Sequence, residues 1–123
     1  MLLLDTHVLI WWRSDPQRLP DDLKEEVATT PVVMVSVASV WEASIKMALG
    51  RLQLPEPFSA GIRRSGFDDL TITSAHAERA ADLPRHHPDP FDRLLVAQAQ
   101  LEGLELVTHD PVLARYDVPV RTF

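Results

Sequence analysis

The chain has 123 residues, no cysteine and a formal net charge of −6 at pH 7. The lack of cysteine excludes disulfides and thiolate–zinc sites, and the acidic balance argues against non-specific nucleic-acid binding through surface Lys and Arg. Hydrophobic residues make up 46% and charged residues 24% of the chain, a composition typical of globular domains, and this length predicts one domain over residues 1–123.

The first half of the chain predicts two strands, each followed by helices. Short continuous apolar runs are typical of buried strands in parallel sheets, and Ser, Pro and Gly mark the helix ends. The predicted elements are a strand over 2–5, helices over 7–13 and 20–29, a strand over 32–35, and a helix over 37–49 that Ser36 caps and Gly50 ends.

The second half continues the same alternation. Its predicted elements are a short helix over 58–65, a strand over 70–73, a helix over 74–83 capped by Ser74, a helix over 89–102, a strand over 104–108, a helical turn after Asp110 and an edge strand over 118–122. Strands that alternate with helices in this way predict an α/β sandwich with a mainly parallel central sheet.

We expect a cytoplasmic protein. The longest uncharged apolar stretch, residues 6–12, is far shorter than a membrane span. The first residues also lack the basic segment and small-residue cleavage site of a signal peptide.

Four carboxylates stand inside or directly after apolar segments: Asp5, Glu42, Asp92 and Asp110. An ionised carboxylate in apolar surroundings is costly unless it is paired or binds a metal. Asp5 and Asp110 follow predicted strands, and ligand sites of parallel sheets lie outside the carboxyl ends of the strands. Glu42 and Asp92 lie on helices that can reach the same edge, so the sequence predicts one shared acidic cleft. Oxygen ligands select Mg²⁺ or Mn²⁺, which activate water for phosphodiester hydrolysis.

Each acid alone also has a structural interpretation. Asp5 and Asp110 can cap helices, Asp92 lies at the positive end of a helix, and Glu42 has the favourable i,i+4 spacing to Lys46. The functional interpretation therefore depends on all four acids lying together.

Five histidines invite a further metal or phosphate role, which we do not favour. His7 comes two residues after Asp5, and His109 directly precedes Asp110. We expect each of these side chains to point away from the neighbouring acid. We expect His86 and His87 to be solvated in a loop, and His76 to lie on a helix surface.

The ordered motifs resemble those of the PIN-domain family, in particular toxin ribonucleases of the VapC type from type II toxin–antitoxin systems. The matching segments span nearly the whole chain: LLDTH at 3–7, VSVASVWE at 35–42 with Ile45-Lys46, DPFDRLLVAQA at 89–99 and LVTHD at 106–110. Each motif is weak alone, but the set in this order and spacing is specific.

This resemblance implies a three-layer α/β/α fold and Mg²⁺- or Mn²⁺-dependent RNA cleavage. It assigns the family's acids to Asp5, Glu42, Asp92 and Asp110 as catalytic residues and metal ligands. It implies that Thr6 and Thr108 support the acids from neighbouring positions. It also implies a cognate antitoxin that blocks the site, a homodimer, and promoter DNA that is bound only through the antitoxin.

Two cations, Lys46 and Arg93, lie near the acids in sequence. Either of them can hold a carboxylate in position or contact the scissile phosphate. Both are therefore candidate site residues.

Two other functions remain open at this stage. A non-catalytic PIN-fold module would bind a partner without cleaving RNA, and the four intact acids argue against it. A haloacid-dehalogenase-like phosphatase would use a strand-end Asp as nucleophile, with a second Asp two residues later. His7 stands at that position. Binding of Mg²⁺ or Mn²⁺ by the wild type and not by Asp5→Ala separates the nuclease from the module.

Overall fold

The computed structural model describes residues 1–123, which form five strands and six α-helices. The strands are β1 (Leu2–Leu4), β2 (Val33–Ser36), β3 (Asp68–Leu70), β4 (Glu105–Thr108) and β5 (Val120–Thr122). The helices are α1 (Thr6–Ser14), α2 (Asp21–Thr29), α3 (Val37–Ala48), α4 (Phe58–Arg64), α5 (Ser74–Asp82) and α6 (Pro90–Glu102). Two 3-10 turns cover Pro16–Arg18 and Pro111–Arg115.

The strands form one parallel sheet in the order β3-β2-β1-β4-β5. The central strand β1 pairs through Leu3 with Met34 of β2 and with Leu106 of β4. Because all strands run in one direction, their carboxyl ends meet at a single edge. The predicted α/β fold with a parallel sheet is confirmed.

Two hydrophobic cores lie on opposite faces of this sheet, since side chains alternate between faces along a strand. Leu2 and Leu4 belong to a cluster that includes Leu9 of α1 and Phe58 of α4. Leu3 belongs to the other cluster, with residues of α6. The sheet is therefore the middle layer of a three-layer sandwich.

The helix ends follow the sequence closely. Asp5 caps α1, Ser36 caps α3 and Asp89 caps α6, each through a side-chain oxygen that accepts a backbone N–H. Gly103 ends α6 at φ 67°, in the left-handed region that glycine enters without a Cβ penalty.

The predictions around β3 are wrong in two details. The strand covers Asp68–Leu70 instead of 70–73, because it is a short edge strand that pairs only with β2 and exposes its two acids. The cap of α5 is Thr73 instead of Ser74.

His76 is buried, not on the helix surface as predicted. Its Nδ1 accepts the Thr73 N–H at 3.0 Å, and its Nε2 lies 3.0 Å from Glu102 Oε1 of α6. It joins the start of α5 to the end of α6.

No helix combines the length and the apolar character that crossing a membrane requires. The longest, α6, has 13 residues.

Candidate active site

An acidic cleft of about 400 Å³ opens at the carboxyl edge of the sheet. Asp5 directly follows β1, Asp110 follows β4, and Asp92 lies in the first turn of α6. The lining residues are Asp5, His7, Trp11, His87, Asp89, Asp92, His109 and Asp110. The fold thus brings three of the four predicted acids to one opening.

Asp5 is 3% exposed, and its carboxylate accepts two hydrogen bonds. Its Oδ1 accepts the Val8 N–H at 2.9 Å, which caps α1, and its Oδ2 accepts a short hydrogen bond from the Thr108 hydroxyl. Burial raises its pKa, although the bonds from Thr108 and Val8 oppose that rise. Asp5 therefore caps α1 and lines the cleft at the same time.

Thr6 and Thr108, the two threonines predicted to support the acids, have different hydrogen-bond partners. Thr108 donates to Asp5 and accepts the Asp110 N–H at 3.0 Å, so it links two acids across β1 and β4. Thr6 is equally buried but donates to Ser39 Oγ at 2.9 Å, which joins α1 to α3. Thr6 thus joins the helices beside the cleft, and its hydroxyl is bonded to Ser39 instead of an acid.

Asp92, like Asp5, has a raised pKa. Burial first, and then the negative charges of Asp89 and Asp5, raise its pKa to about 7, against an ordinary value of 3.8. Glu42 adds to this repulsion, and His87 opposes it. Crowded carboxylates with raised pKa values are typical of functional sites.

Glu42 is not among the residues that line the cleft. Its side chain is 12% exposed, and its Oε1 is buried without a hydrogen-bond partner. Its charge raises the pKa of both Asp5 and Asp92, so it is electrostatically part of the same cluster. Lys46 Nζ lies 3.8 Å from Glu42 Oε2, as the i,i+4 spacing predicts. It also lies 3.5 Å from His7 Nε2.

His87 is a site residue that the sequence interpretation missed. Its side chain is 16% exposed, and its Nε2 lies 2.9 Å from Asp110 Oδ2 and 3.4 Å from Asp92 Oδ2. The expectation of a solvated loop histidine is wrong, because the connection between α5 and α6 folds back against the strand edge. The one residue between His87 and the cap Asp89, Pro88, gives no sequence signal of this return.

Arg93 organises that connection and does not reach an acid. It is 9% exposed and donates to the carbonyls of Ala80, Leu83 and Pro84 at 2.9–3.0 Å. It also contacts the His87 carbonyl of the same loop at 3.4 Å. The suggested contact of Arg93 with a carboxylate or phosphate is therefore replaced by a role in shaping the loop.

His7 and His109 also line the cleft, contrary to expectation. Their rings flank Trp11, with centroid distances of 6.1 Å and 5.5 Å. His109 additionally bonds the carbonyl of Phe123 and stacks on its ring. The outer wall of the cleft is thus aromatic, while its floor is acidic.

The residues at the cleft fit a divalent cation. Ligand atoms of His87, Asp92 and Asp110 lie within 4.8 Å of one another. The carboxylate oxygens are hard donors of the kind that Mg²⁺ and Mn²⁺ prefer. Glu42 Oε1 is buried without a hydrogen-bond partner, and burial together with neighbouring negative charges raises the pKa of Asp5 and Asp92, so a bound cation would stabilise their ionised forms.

Comparison with known proteins gives two kinds of match. The family model described as PIN domain matches residues 2–119. The chain is 33% identical over 121 residues to Ribonuclease VapC22 of Mycobacterium tuberculosis, which covers 96% of this chain and 93% of the relative.

Solved structures share the fold at lower identity. VapBC2 of Rickettsia felis, bound to a promoter DNA fragment, has a TM-score of 0.73 at 15% identity and covers 98% of this chain and 97% of its own. DNA-bound VapBC of Salmonella typhimurium has a TM-score of 0.73 at 21% identity, with coverages of 99% and 98%. A toxin–antitoxin complex of Klebsiella pneumoniae has a TM-score of 0.69 at 24% identity, with coverages of 99% and 97%.

Proposed function

Because the chain belongs to the PIN-domain family, we propose that it is a metal-dependent endoribonuclease and the toxin of a toxin–antitoxin pair. The observation that carries the proposal is the meeting of Asp5, Asp92 and Asp110 in one cleft, where the charge of Glu42 also acts on Asp5 and Asp92. The relative named as a ribonuclease supports RNA as the substrate. The proposed activity belongs to the one domain formed by residues 1–123, acting in the cytoplasm.

We assign the cation, Mg²⁺ or Mn²⁺, to Asp5, Asp92 and Asp110, with Glu42 holding the cation or a water bound to it. When bound, the cation supplies a Lewis acid and lowers the pKa of an attacking water. The side chains supply the geometry. Thr108 and the Val8 N–H fix both oxygens of Asp5, so this acid is oriented before any ligand arrives.

The proposed reaction is hydrolysis, in which water attacks phosphorus and the 3′-oxygen of the scissile bond leaves. The products are 5′-phosphate and 3′-hydroxyl ends. The ribose 2′-hydroxyl is not the nucleophile, so no 2′,3′-cyclic phosphate forms. Lys46 is assigned to the positioning of Glu42, since its Nζ lies 3.8 Å from Glu42 Oε2.

The proposed protein partner is a cognate antitoxin that covers the cleft. Structural neighbours that are toxin–antitoxin complexes, some of them with DNA, support this assignment. Promoter DNA is then bound only through the antitoxin, which agrees with the net charge of −6 of this chain. A homodimer of the toxin is part of the same proposal.

The test uses purified protein, a defined panel of RNAs and buffers with Mg²⁺, Mn²⁺ or EDTA, followed by mapping of the cut ends. We expect cleavage with the divalent cations and none with EDTA. The matched controls are Asp92→Asn, inside the cleft, and Asp68→Asn, an exposed acid of β3 outside it.

Each alternative gives a different result in this assay. Products with 2′,3′-cyclic ends would contradict hydrolysis by water. Equal cleavage by wild type and Asp92→Asn would remove the cleft from the reaction. An RNA panel left intact under every condition would favour a non-catalytic binding module.

A further inference from the structure

We infer that His87 is a positioning residue that donates a hydrogen bond to Asp110 and holds it beside Asp92, and that it is not itself a metal ligand. This inference rests on the proposed metal site. It adds a residue that none of the four sequence motifs contains. His87 lies on the loop between α5 and α6.

The hydrogen bonds of the ring determine which nitrogen has the proton. The Asp89 backbone N–H, which can only donate, lies 3.0 Å from His87 Nδ1. Nδ1 must therefore accept, and a neutral imidazole then has its single proton on Nε2. Nε2 points at Asp110 Oδ2 at 2.9 Å, a carboxylate oxygen that can only accept when ionised. Both contacts agree on one tautomer, with Nε2 as the donor.

The same tautomer argues against direct coordination. A ligand nitrogen must offer a lone pair, so Nε2 would have to lose its proton to bind a cation. The proton of the neutral ring would then stand on Nδ1, facing the Asp89 N–H. The closeness of His87 to Asp92 and Asp110, within 4.8 Å, is therefore better explained by donation than by ligation.

The backbone of His87 is anchored on both sides, as a positioning role requires. Its N–H donates to Tyr116 Oη at 3.0 Å, and Tyr116 is 4% exposed. Its carbonyl lies 3.4 Å from the guanidinium of Arg93, which is itself bound to the turn after α5. The imidazole is thus fixed by buried groups of the scaffold before it meets the acid.

The result is a fully oriented Asp110. Its Oδ1 accepts the Val112 N–H at 2.9 Å and its Oδ2 accepts from His87, so neither oxygen can rotate freely. Each carboxylate oxygen has a second lone pair, which stays available to a cation. Asp110 is more exposed than Asp5 and Asp92, at 36% of its side chain, and so it depends more than they do on such a partner.

The test is calorimetric titration of Mg²⁺ and of Mn²⁺ into wild type, His87→Leu, His87→Gln and His86→Leu. Leu removes the donor, whereas Gln has an N–H at a similar reach. His86 is the matched control, since it is the exposed neighbour whose ring contacts Tyr116 at 5.0 Å between centroids and does not line the cleft. Thermal melts of each variant establish that it is folded.

We expect His87→Leu to lower the affinity for both cations by about 10- to 100-fold, which is the range for residues that orient metal ligands. The Mn²⁺-to-Mg²⁺ affinity ratio should stay unchanged, and His87→Gln should recover most of the affinity. His86→Leu should bind as the wild type does. Nitrogen couplings in the electron spin echo spectrum of bound Mn²⁺ should be absent.

Several outcomes would overturn the inference. Unchanged affinity in a folded His87→Leu variant would remove the role of His87 and leave the proposed function intact. Selective loss of Mn²⁺, or a directly coordinated nitrogen, would make His87 a ligand, because nitrogen donors favour Mn²⁺ over Mg²⁺. A wild type that binds neither cation would instead overturn the proposed metal site, and the inference with it.

Discussion

The two sides of the acidic cleft are built by different means. On the strand side, Asp5 and Thr108 end neighbouring strands, and the parallel register of β1 and β4 brings them into contact. On the loop side, the backbone of His87 contacts the side chains of Arg93 and Tyr116, which lie outside the strands. The first side is a consequence of the sheet, whereas the second depends on individual side chains that close a loop.

This contrast predicts which side determines the chemistry. Asp5→Asn should lower RNA cleavage by at least about 100-fold, the size expected when a charged group of a transition state site is lost. Asparagine can still accept the Val8 N–H as a helix cap, so the fold should persist. Gel assays of cleavage with circular dichroism melts measure both effects. An Asp5→Asn variant that still cleaves RNA would contradict the catalytic role proposed for Asp5.

The loop side should show its largest effect in stability. Arg93→Leu leaves the carbonyls of Ala80, Leu83 and Pro84 without their charged donor, which should lower the free energy of unfolding by about 2–4 kcal/mol. Urea denaturation measures this. Arg79→Leu is the control, because exposed Arg79 bonds only Gln100 and should change stability little. Equal effects of the two substitutions would contradict the role assigned to Arg93.

The acids between the two sides should make metal-free stability depend on pH. The folded pKa of Asp92, about 7, is above its ordinary value of 3.8, so folded protein keeps a proton that the unfolded chain has lost between these values. The free energy of unfolding should therefore fall as pH rises from about 4 to 7. The raised pKa of Asp5 acts in the same direction.

Asp92→Asn should flatten this profile and stabilise the metal-free protein at pH 8 by about 1–3 kcal/mol. Mn²⁺ should restore wild-type stability at pH 8, because it favours the ionised carboxylates. Thermal melts from pH 4 to pH 8 in EDTA give the profile. A wild type that grows more stable over this range would contradict the proposed crowding of the acids.

The smallest effect should come from the hydroxyl that joins two acids. Thr108→Val removes the donor to Asp5 and the acceptor for the Asp110 N–H, at a cost of about 1–2 kcal/mol. Thr108→Ser keeps the hydroxyl and should lose less than half of this. Denaturation midpoints of the two variants test the difference, and a loss in Thr108→Ser as large as that in Thr108→Val would contradict a contribution that rests mainly on the hydroxyl.

The two sides also differ in how far the sequence predicts them. The strand-end acids follow from apolar runs that end in Asp, and the caps at Ser36 and Asp5 follow from local sequence preferences at helix starts. His76, His87 and Arg93 could not be assigned in this way. Their partners, such as Glu102, Tyr116 and the carbonyls after α5, are fixed only when α5 and α6 pack, and packing leaves no local pattern.

Crystals soaked in Mn²⁺ and measured for anomalous scattering test the shared cation site most directly. We expect a manganese peak in the cleft, bound to oxygens of Asp92 and Asp110 and to Asp5 directly or through one water. His87 should remain outside coordination distance. An empty cleft at saturating Mn²⁺, or a manganese ion bound only by residues outside the acidic cluster, would contradict the proposed metal-dependent nuclease site.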